Sequence, residues 1–361
     1  MPHRVIQVGT GGQGAHWCSD YLPPNIEEGL IEIVAAVDVD EDAHENAKEH
    51  LDLSSDECYT DVAEAFSNHT ADFCTVVVPP WIHENIVDEA LKHDLDILSE
   101  KPIADTLEAS CRIAEKVDQA GAKMGVTMSH RFDRDKTTLR RHLRSGDPGP
   151  IDYIVGRFTC NARSYGAWGA FRHEMDNVLM IEGAVHQLDF IADMVDSRCD
   201  TIYADTWLPE WGEYDGDVQA NVQMRFENGS RAMWEGAKTN AVTLNGWYSD
   251  YLRAECRDET LVLNDRELCR HSYDEEEETV IGGTHEYDGE SIPLDKQDKW
   301  ANTWLIEQFV EWLDGGDPMA TKVSDNLQSV ALIEAAIQSS ETGEPVKVQN
   351  LLEETREQIE V

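Results

Sequence analysis

The sequence predicts a two-domain α/β protein, with a doubly wound parallel sheet first and then an α+β domain holding a large, mostly antiparallel sheet. Three observations predict it. Through about residue 127, short apolar runs alternate with helical patterns, the rhythm of a parallel sheet with helices on both faces. From about residue 128, strand-like runs follow one another, and Asn228-Gly229 joins two of them as a hairpin turn. The 361 residues are enough for two separate cores. The domains are placed at 1–127 and 128–361.

In the first domain, residues 5–8 form a strand that enters a glycine-rich turn and a helix. Residues 31–37 form a second strand, followed by an acidic helix from Glu41. Residues 75–78 form a strand ending at Pro79-Pro80. A helix over 82–93, a strand at 95–98, a helix over 107–120 and a strand at 123–127 complete the set. In the second domain, helices are expected over 134–144 and 178–195, with strands at 153–158, 219–226, 230–236 and 251–256. Two helices, 300–313 and 324–342, close the chain.

Charge narrows the partners. The chain has 29 Lys and Arg against 72 Asp and Glu, a net charge of −43. Such a surface repels phosphate backbones and anionic headgroups, which argues against nucleic acid and membranes. The acid is spread along the chain, with one dense run at 274–278, while 41% of residues are hydrophobic. This is the composition of a folded protein adapted to concentrated salt, where screening shortens the reach of self-repulsion, and it points to an extreme halophile as the source. A cationic partner is the competing reading. The eight cysteines are scattered without a C-x-x-C pair, as expected of small buried hydrophobes in a reducing cytoplasm, and no zinc site is expected. No apolar signal core or 18-residue apolar stretch is present, so a cytoplasmic location is expected.

Three motifs carry chemistry. Gly9-Thr10-Gly11-Gly12-Gln13-Gly14 follows the first strand and opens a helix, fitting the dinucleotide fingerprint G-x-G-x-x-G of a Rossmann sheet. Asp38 ends the second strand, 24 residues past Gly14 against an expected spacing of about 20, where a carboxylate accepts both ribose hydroxyls and disfavours a 2′-phosphate. NAD is therefore expected over NADP. Glu100-Lys101-Pro102 puts an ammonium at the C-terminal end of a parallel strand, the edge where open α/β sheets bind ligands, although an ordinary surface lysine fits the same pattern. On the helix over 178–195, at 100° per residue, Glu182, His186 and Asp189 fall within about 60° of one another, the makings of a proton-transfer site. The stripe of Ile181, Val185, Leu188, Ala192 and Val195 is then the buried one. A solvated face with an i,i+4 ion pair has the same spacing.

Taken with Pro79-Pro80-Trp81-Ile82-His83, these motifs and their order resemble the glucose–fructose oxidoreductase / inositol dehydrogenase (Gfo/Idh/MocA) family. The resemblance covers nearly the whole chain, with Glu182 standing where dehydrogenase members often carry Asp. It implies a nicotinamide cofactor held by Gly9, Gly11, Gly12, Gln13, Gly14, Asp38, Pro79, Pro80, His83, Glu100 and Lys101. Lys101 would contact the reacting hydroxyl, and His186 would take its proton, with Glu182 and Asp189 alongside. The implied activity is hydride transfer between a sugar, polyol or related substrate and NAD. An NAD-binding regulator without turnover, or a lyase or hydrolase using NAD as transient oxidant, remain as alternatives. Arg163 and Trp168 are candidates to line the substrate pocket, or simply to pack, and His83 to touch the cofactor or cap its helix. A homo-oligomer through the C-terminal sheet is expected. Phe171-Arg172-His173-Glu174 begins like a zinc-protease helix but lacks the second His, so no metal is assigned.

Overall fold

The computed structural model describes residues 1–275 and 289–359; Glu276, Glu277 and Glu278 of the acidic run lie outside them. The chain divides into two compact units. One holds Met1–Phe132, Asp298–Val330 and the end of the chain from Leu352; the other holds Asp133–Gln297 and Ala331–Leu351.

The first unit is a six-stranded, all-parallel sheet of β1 (His3–Val8), β2 (Ile31–Val37), β3 (Cys58–Tyr59), β4 (Phe73–Val76), β5 (Asp96–Glu100) and β6 (Met124–Thr127), in the order β3-β2-β1-β4-β5-β6. The order reverses between β1 and β4, and ligands of such sheets bind at that switch point, beyond the strand C-termini. Two of the helices begin where a polar side chain satisfies a first-turn amide: Asp61 accepts from the Glu64 N–H, and Thr106 from the Ala109 N–H. Gly121, at φ 68°, ends Leu107–Ala120, the span the sequence predicted.

The segment after Asp298 was expected in the second domain and packs in the first. Its helix, Ala301–Leu313, buries Leu305, Ile306, Phe309 and Val310 in the core that holds Val5, Trp17, Phe73 and Leu98. Phe309 meets Phe73 edge to face at 5.1 Å. Lys299, itself buried, anchors the return through Glu28 at 2.5 Å and Glu307 at 2.9 Å. Apolar periodicity identifies such a helix but not the core that receives it.

The second unit is built on a sheet of β7 (Ile151–Thr159), β8 (Cys199–Trp207), β9 (Gln219–Phe226), β10 (Arg231–Ala237), β11 (Tyr251–Cys256), β12 (Glu259–Asn264), β13 (Glu267–Ser272), β14 (Glu290–Ile292) and β15 (Val346–Lys347). Among the described residues the order is β14-β13-β12-β11-β7-β10-β9-β8-β15, and every pair is antiparallel except β7 with β10. Alternating burial along β9 and β10 leaves one face covered and the other open, with Tyr203, Trp207 and Met233 exposed on β8 and β10. Helices Arg134–Ser145 and Val185–Val195 are tied together by Arg140 on Asp193 at 3.1 Å and Arg144 on Asp193 at 3.0 Å. No described helix is long and apolar enough to cross a membrane. All eight cysteines are free thiols, and burial pushes those of Cys18, Cys74 and Cys199 up to about 12.

Candidate active site

The glycine loop is dictated by close packing. A Cβ on Gly9, whose φ is +90°, would lie 2.0 Å from the Val77 carbonyl oxygen, and one on Gly14 would lie 2.3 Å from the Gly9 carbonyl oxygen. At the crest, Gly12 and Gln13 are exposed, and a Cβ on Gly12 would meet nothing within 4 Å. The helix that follows is α only over Gln13–His16 and then π over Trp17–Tyr21. The loop also places Asp38. Its Oδ2 accepts from the Thr10 N–H at 2.8 Å and the Gly11 N–H at 2.9 Å, and its Oδ1 from the Asp40 N–H at 3.0 Å. The next residues include Asp40, Glu41 and Asp42, all exposed, so the end of β2 is strongly anionic.

At the far side of the switch point, β5 ends in Glu100, buried and pushed up by that burial, with the Trp17 indole N–H donating to it at 2.9 Å. Lys101 follows, and the Lys101–Pro102 peptide bond is cis. His83 is fully buried; one ring nitrogen lies 2.9 Å from the Val78 carbonyl and the other 3.1 Å from that of Ile103. A neutral imidazole donates to only one of them, and burial lowers this ring below its ordinary value. His83 thus fastens the segment after β4, where Pro79 is exposed and Pro80 opens a short 3₁₀ turn, to the loop after Lys101.

In the second unit the expected helix over 178–195 is π over Leu179–Ala184 and α only over Val185–Val195. The 100° rotation per residue therefore fails at Glu182, which lies in the wider turn. The helix is also not half-solvated. His186 is 6%, Gln187 1% and Asp189 1% exposed, so the polar face is as buried as the apolar stripe and is no surface ion-pair ladder; Ile181 and Ala192 of that stripe are only half-buried. Glu182 is held by Arg172, whose Nε and Nη2 approach it at 2.9 and 2.8 Å. Arg172 in turn lies over Trp168 and Phe171. Arg163 donates to the Thr239 carbonyl at 2.8 Å and lies over Trp211.

Two features of this unit escaped the sequence reading. Lys136, fully buried, lies 3.0 Å from Asp250, 3.3 Å from Asp133 and 3.7 Å from Asp135, while Gln187 donates to Asp250 at 3.0 Å. Burial alone would lower this ammonium; the carboxylates outweigh it and hold it high, and burial pushes Asp133 up to about 6. The second is Lys238, 1% exposed, with its Nζ 3.9 Å from the Phe158 ring centre, 3.8 Å from Trp168 and 4.5 Å from Trp247. Trp247 also meets the His186 ring at 6.1 Å. The signal was in the alternation: Ala232, Trp234, Gly236 and Lys238 share the inward face of β10 and its continuation.

The aromatic faces favour a charged Lys238 and burial disfavours it. Burial is the larger effect, supported by Arg172 and opposed by Cys160, Asp250 and Glu182, and it pushes the amine down to about 7. Between that value and the ordinary one near 10.5, the unfolded chain binds a proton that the folded chain does not, so this residue's contribution to stability rises with pH. Denaturant unfolding of Lys238→Met and wild type should show the variant's relative advantage shrinking from pH about 7 to about 10. A difference independent of pH contradicts this.

The signature described as "oxidoreductase family, NAD-binding Rossmann fold" matches residues 3–128, and its companion, the family's C-terminal alpha/beta domain, matches 140–348. The chain belongs to the Gfo/Idh/MocA oxidoreductase family. Among family relatives, the uncharacterized protein y4oX of Sinorhizobium fredii is 47% identical over 99% of this chain and 98% of its own. The inositol 2-dehydrogenase of Corynebacterium glutamicum is 28% identical, over 54% of this chain and 55% of its own. The crystal structure of an oxidoreductase from Agrobacterium radiobacter, in complex with NAD+, L-tartaric acid and magnesium, superposes with a TM-score of 0.82 at 17% identity, covering 97% of this chain and all of that one. That of the aldose–aldose oxidoreductase from Caulobacter crescentus, complexed with glycerol, does so with a TM-score of 0.77 at 16% identity, over 96% of this chain and 100% of the other. These structures share the fold. The Gfo/Idh/MocA assignment agrees with the sequence resemblance and with an NAD-binding Rossmann unit carrying Gly9, Gly14 and Asp38.

Proposed function

We propose that this chain is an NAD-dependent dehydrogenase acting on a secondary hydroxyl of a sugar, polyol or related substrate. The observation that carries the reading is the buried polar helix face of His186 and Asp189, sealed against Trp247 in a member of an NAD-binding oxidoreductase family. Burying an imidazole and a carboxylate away from water is costly, and clusters of this kind are characteristic of functional sites. The inositol dehydrogenases among the relatives support the substrate class.

The glycine loop and Asp38 fit the cofactor. Gly11, Gly12 and Gln13 form the crest that would face the pyrophosphate, Asp38 would accept the adenosine ribose hydroxyls, and Pro79, Pro80, Glu100 and Lys101 border the strand ends beside the switch point. When bound, the nicotinamide supplies the hydride acceptor. The protein's share is acid–base work and orientation. His186 accepts the proton from the substrate hydroxyl, the Lys101 ammonium supplies a hydrogen bond, and Asp189 and Glu182 set the charge around His186. Glu100 and His83 hold the loop that carries Lys101. Arg163 and Trp168 belong to the substrate end. The chain works in the cytoplasm as a homo-oligomer assembled through the open face of its larger sheet, where Tyr203, Trp207 and Met233 are exposed.

The cofactor half is tested by calorimetry. Asp38 with Asp40, Glu41 and Asp42 repels a 2′-phosphate, so NAD should bind at least about tenfold more tightly than NADP, a difference of about 1.4 kcal/mol. Asp38→Ala should narrow the gap. Tighter binding of NADP by the unmodified protein overturns the assignment.

A further inference from the structure

Among the described residues three lysines are buried, Lys136, Lys238 and Lys299, and Lys238 is the exception among them. With 72 acidic residues against 29 basic ones, carboxylates are everywhere, and seven described lysines, from Lys48 to Lys347, meet one at 2.5–3.6 Å. Lys238 has none. Its Nζ is buried with no hydrogen-bond partner, boxed by Phe158, Trp168 and Trp247.

It lies against the π-helical turn that leads into the helix of His186. A Cβ on Gly183, the residue after Glu182, would lie 3.7 Å from the Lys238 Cε and 3.7 Å from the Trp168 ring, so lysine and indole both lie over the π-helical turn. Arg172 shares Trp168 with Lys238, and its charge is matched by Glu182. Of the two basic side chains against Trp168, Lys238 is the one with no carboxylate bonded to it. Trp168, half-buried against Val178, Tyr214 and Val218, sits between Gly166 and Gly169, both at positive φ, in a stretch where Tyr165 and Phe171 are exposed. A swing of that indole would open the amine to a ligand.

We propose that Lys238 receives a carboxylate of the substrate, which makes the substrate class polyhydroxy acids, aldonates or uronates, in preference to neutral polyols. The proposal rests on the reading above that the Glu182–His186 helix faces substrate. A charge-assisted hydrogen bond formed away from water gives a carboxylate what a neutral hydroxyl cannot, and a site left with an unpaired buried group discriminates against ligands that fail to pair it.

The test is calorimetry of the NAD-loaded protein with a panel of pentonates, hexonates and hexuronates, each against its neutral counterpart, D-gluconate against D-glucitol being one pair. At least one acid should bind about tenfold or more tightly than its neutral partner, and Lys238→Met, which keeps the box apolar, should remove that preference while leaving NAD affinity unchanged. In the unmodified protein the same acid should slow acylation of Lys238, read by peptide mass, and its neutral partner should not. Equal binding of the two series, a preference that survives Lys238→Met, or no binding by either overturns the proposal. If neutral polyols alone form NADH, the dehydrogenase reading stands without it. If acids bind through Lys238 and no NADH forms, the anion pocket stands and the dehydrogenase reading falls.

Discussion

Replacing His186 by alanine is expected to reduce turnover about 10²–10⁴-fold with NAD affinity within about twofold of wild type, and replacing Lys101 by alanine to reduce turnover by a similar factor. The base must take the hydroxyl proton as the carbon is oxidised, and an alkoxide formed without it is far too high in energy. His186 is suited to this by type, since an imidazole titrates near neutral pH, and by place, on a buried helix against Trp247. Lys101 follows Glu100, whose burial and bond from Trp17 fix the end of β5. His186 is not among the residues assigned to the cofactor, so NAD binding should survive its replacement. Wild-type activity should rise with pH through one titration, because the working base is unprotonated. Single-turnover and steady-state rates of both variants check the pair; near wild-type turnover in either removes that residue from the mechanism.

The second large effect is on salt dependence. At a net charge of −43, carboxylate repulsion across each unit is screened within about 3 Å at 1 M salt and reaches about 30 Å at 0.01 M. Ion pairs such as Arg112 and Lys116 on Glu84 neutralise only part of the excess, there being 29 basic side chains in all. On moving from multimolar to millimolar KCl the melting temperature is therefore expected to fall by about 10 °C or more, equivalent to about 3–5 kcal/mol for units of this size. Scanning calorimetry across that range checks it, and a flat melting temperature contradicts adaptation to concentrated salt.

Much of the parallel unit was legible because most of its strands are short apolar runs and Leu107–Ala120 is bounded by Thr106 and Gly121. Leu107–Ala120 and Gln219–Phe226 fall where periodicity put them. What stayed hidden has physical causes. The two-residue strands β3 and β15 are too short to show a period. The return of Ala301–Leu313 to the first unit depends on which core its apolar face meets, a tertiary choice. The π turn over Leu179–Ala184 leaves no mark in the spacing of Glu182 and His186, so the 100° rotation assumed for that face does not run through Glu182. Lys238 was readable, because a lysine at an inward position of an alternating strand is a conflict between pattern and residue type, and such conflicts tend to fall at functional sites. The buried Lys136–Asp250 network was not, since its members come from separated segments.

The central claim, net oxidation of a polyhydroxylated substrate by NAD, is tested most directly by the near-ultraviolet absorbance of NADH. The protein is incubated in multimolar KCl with NAD and a panel of sugars, polyols, aldonates and uronates, beside His186→Ala. The account predicts that at least one compound generates NADH with wild type, and that the signal falls about 10²-fold or more in the variant. Absence of NADH across the panel while NAD binds, or an altered substrate with no NADH released, contradicts it.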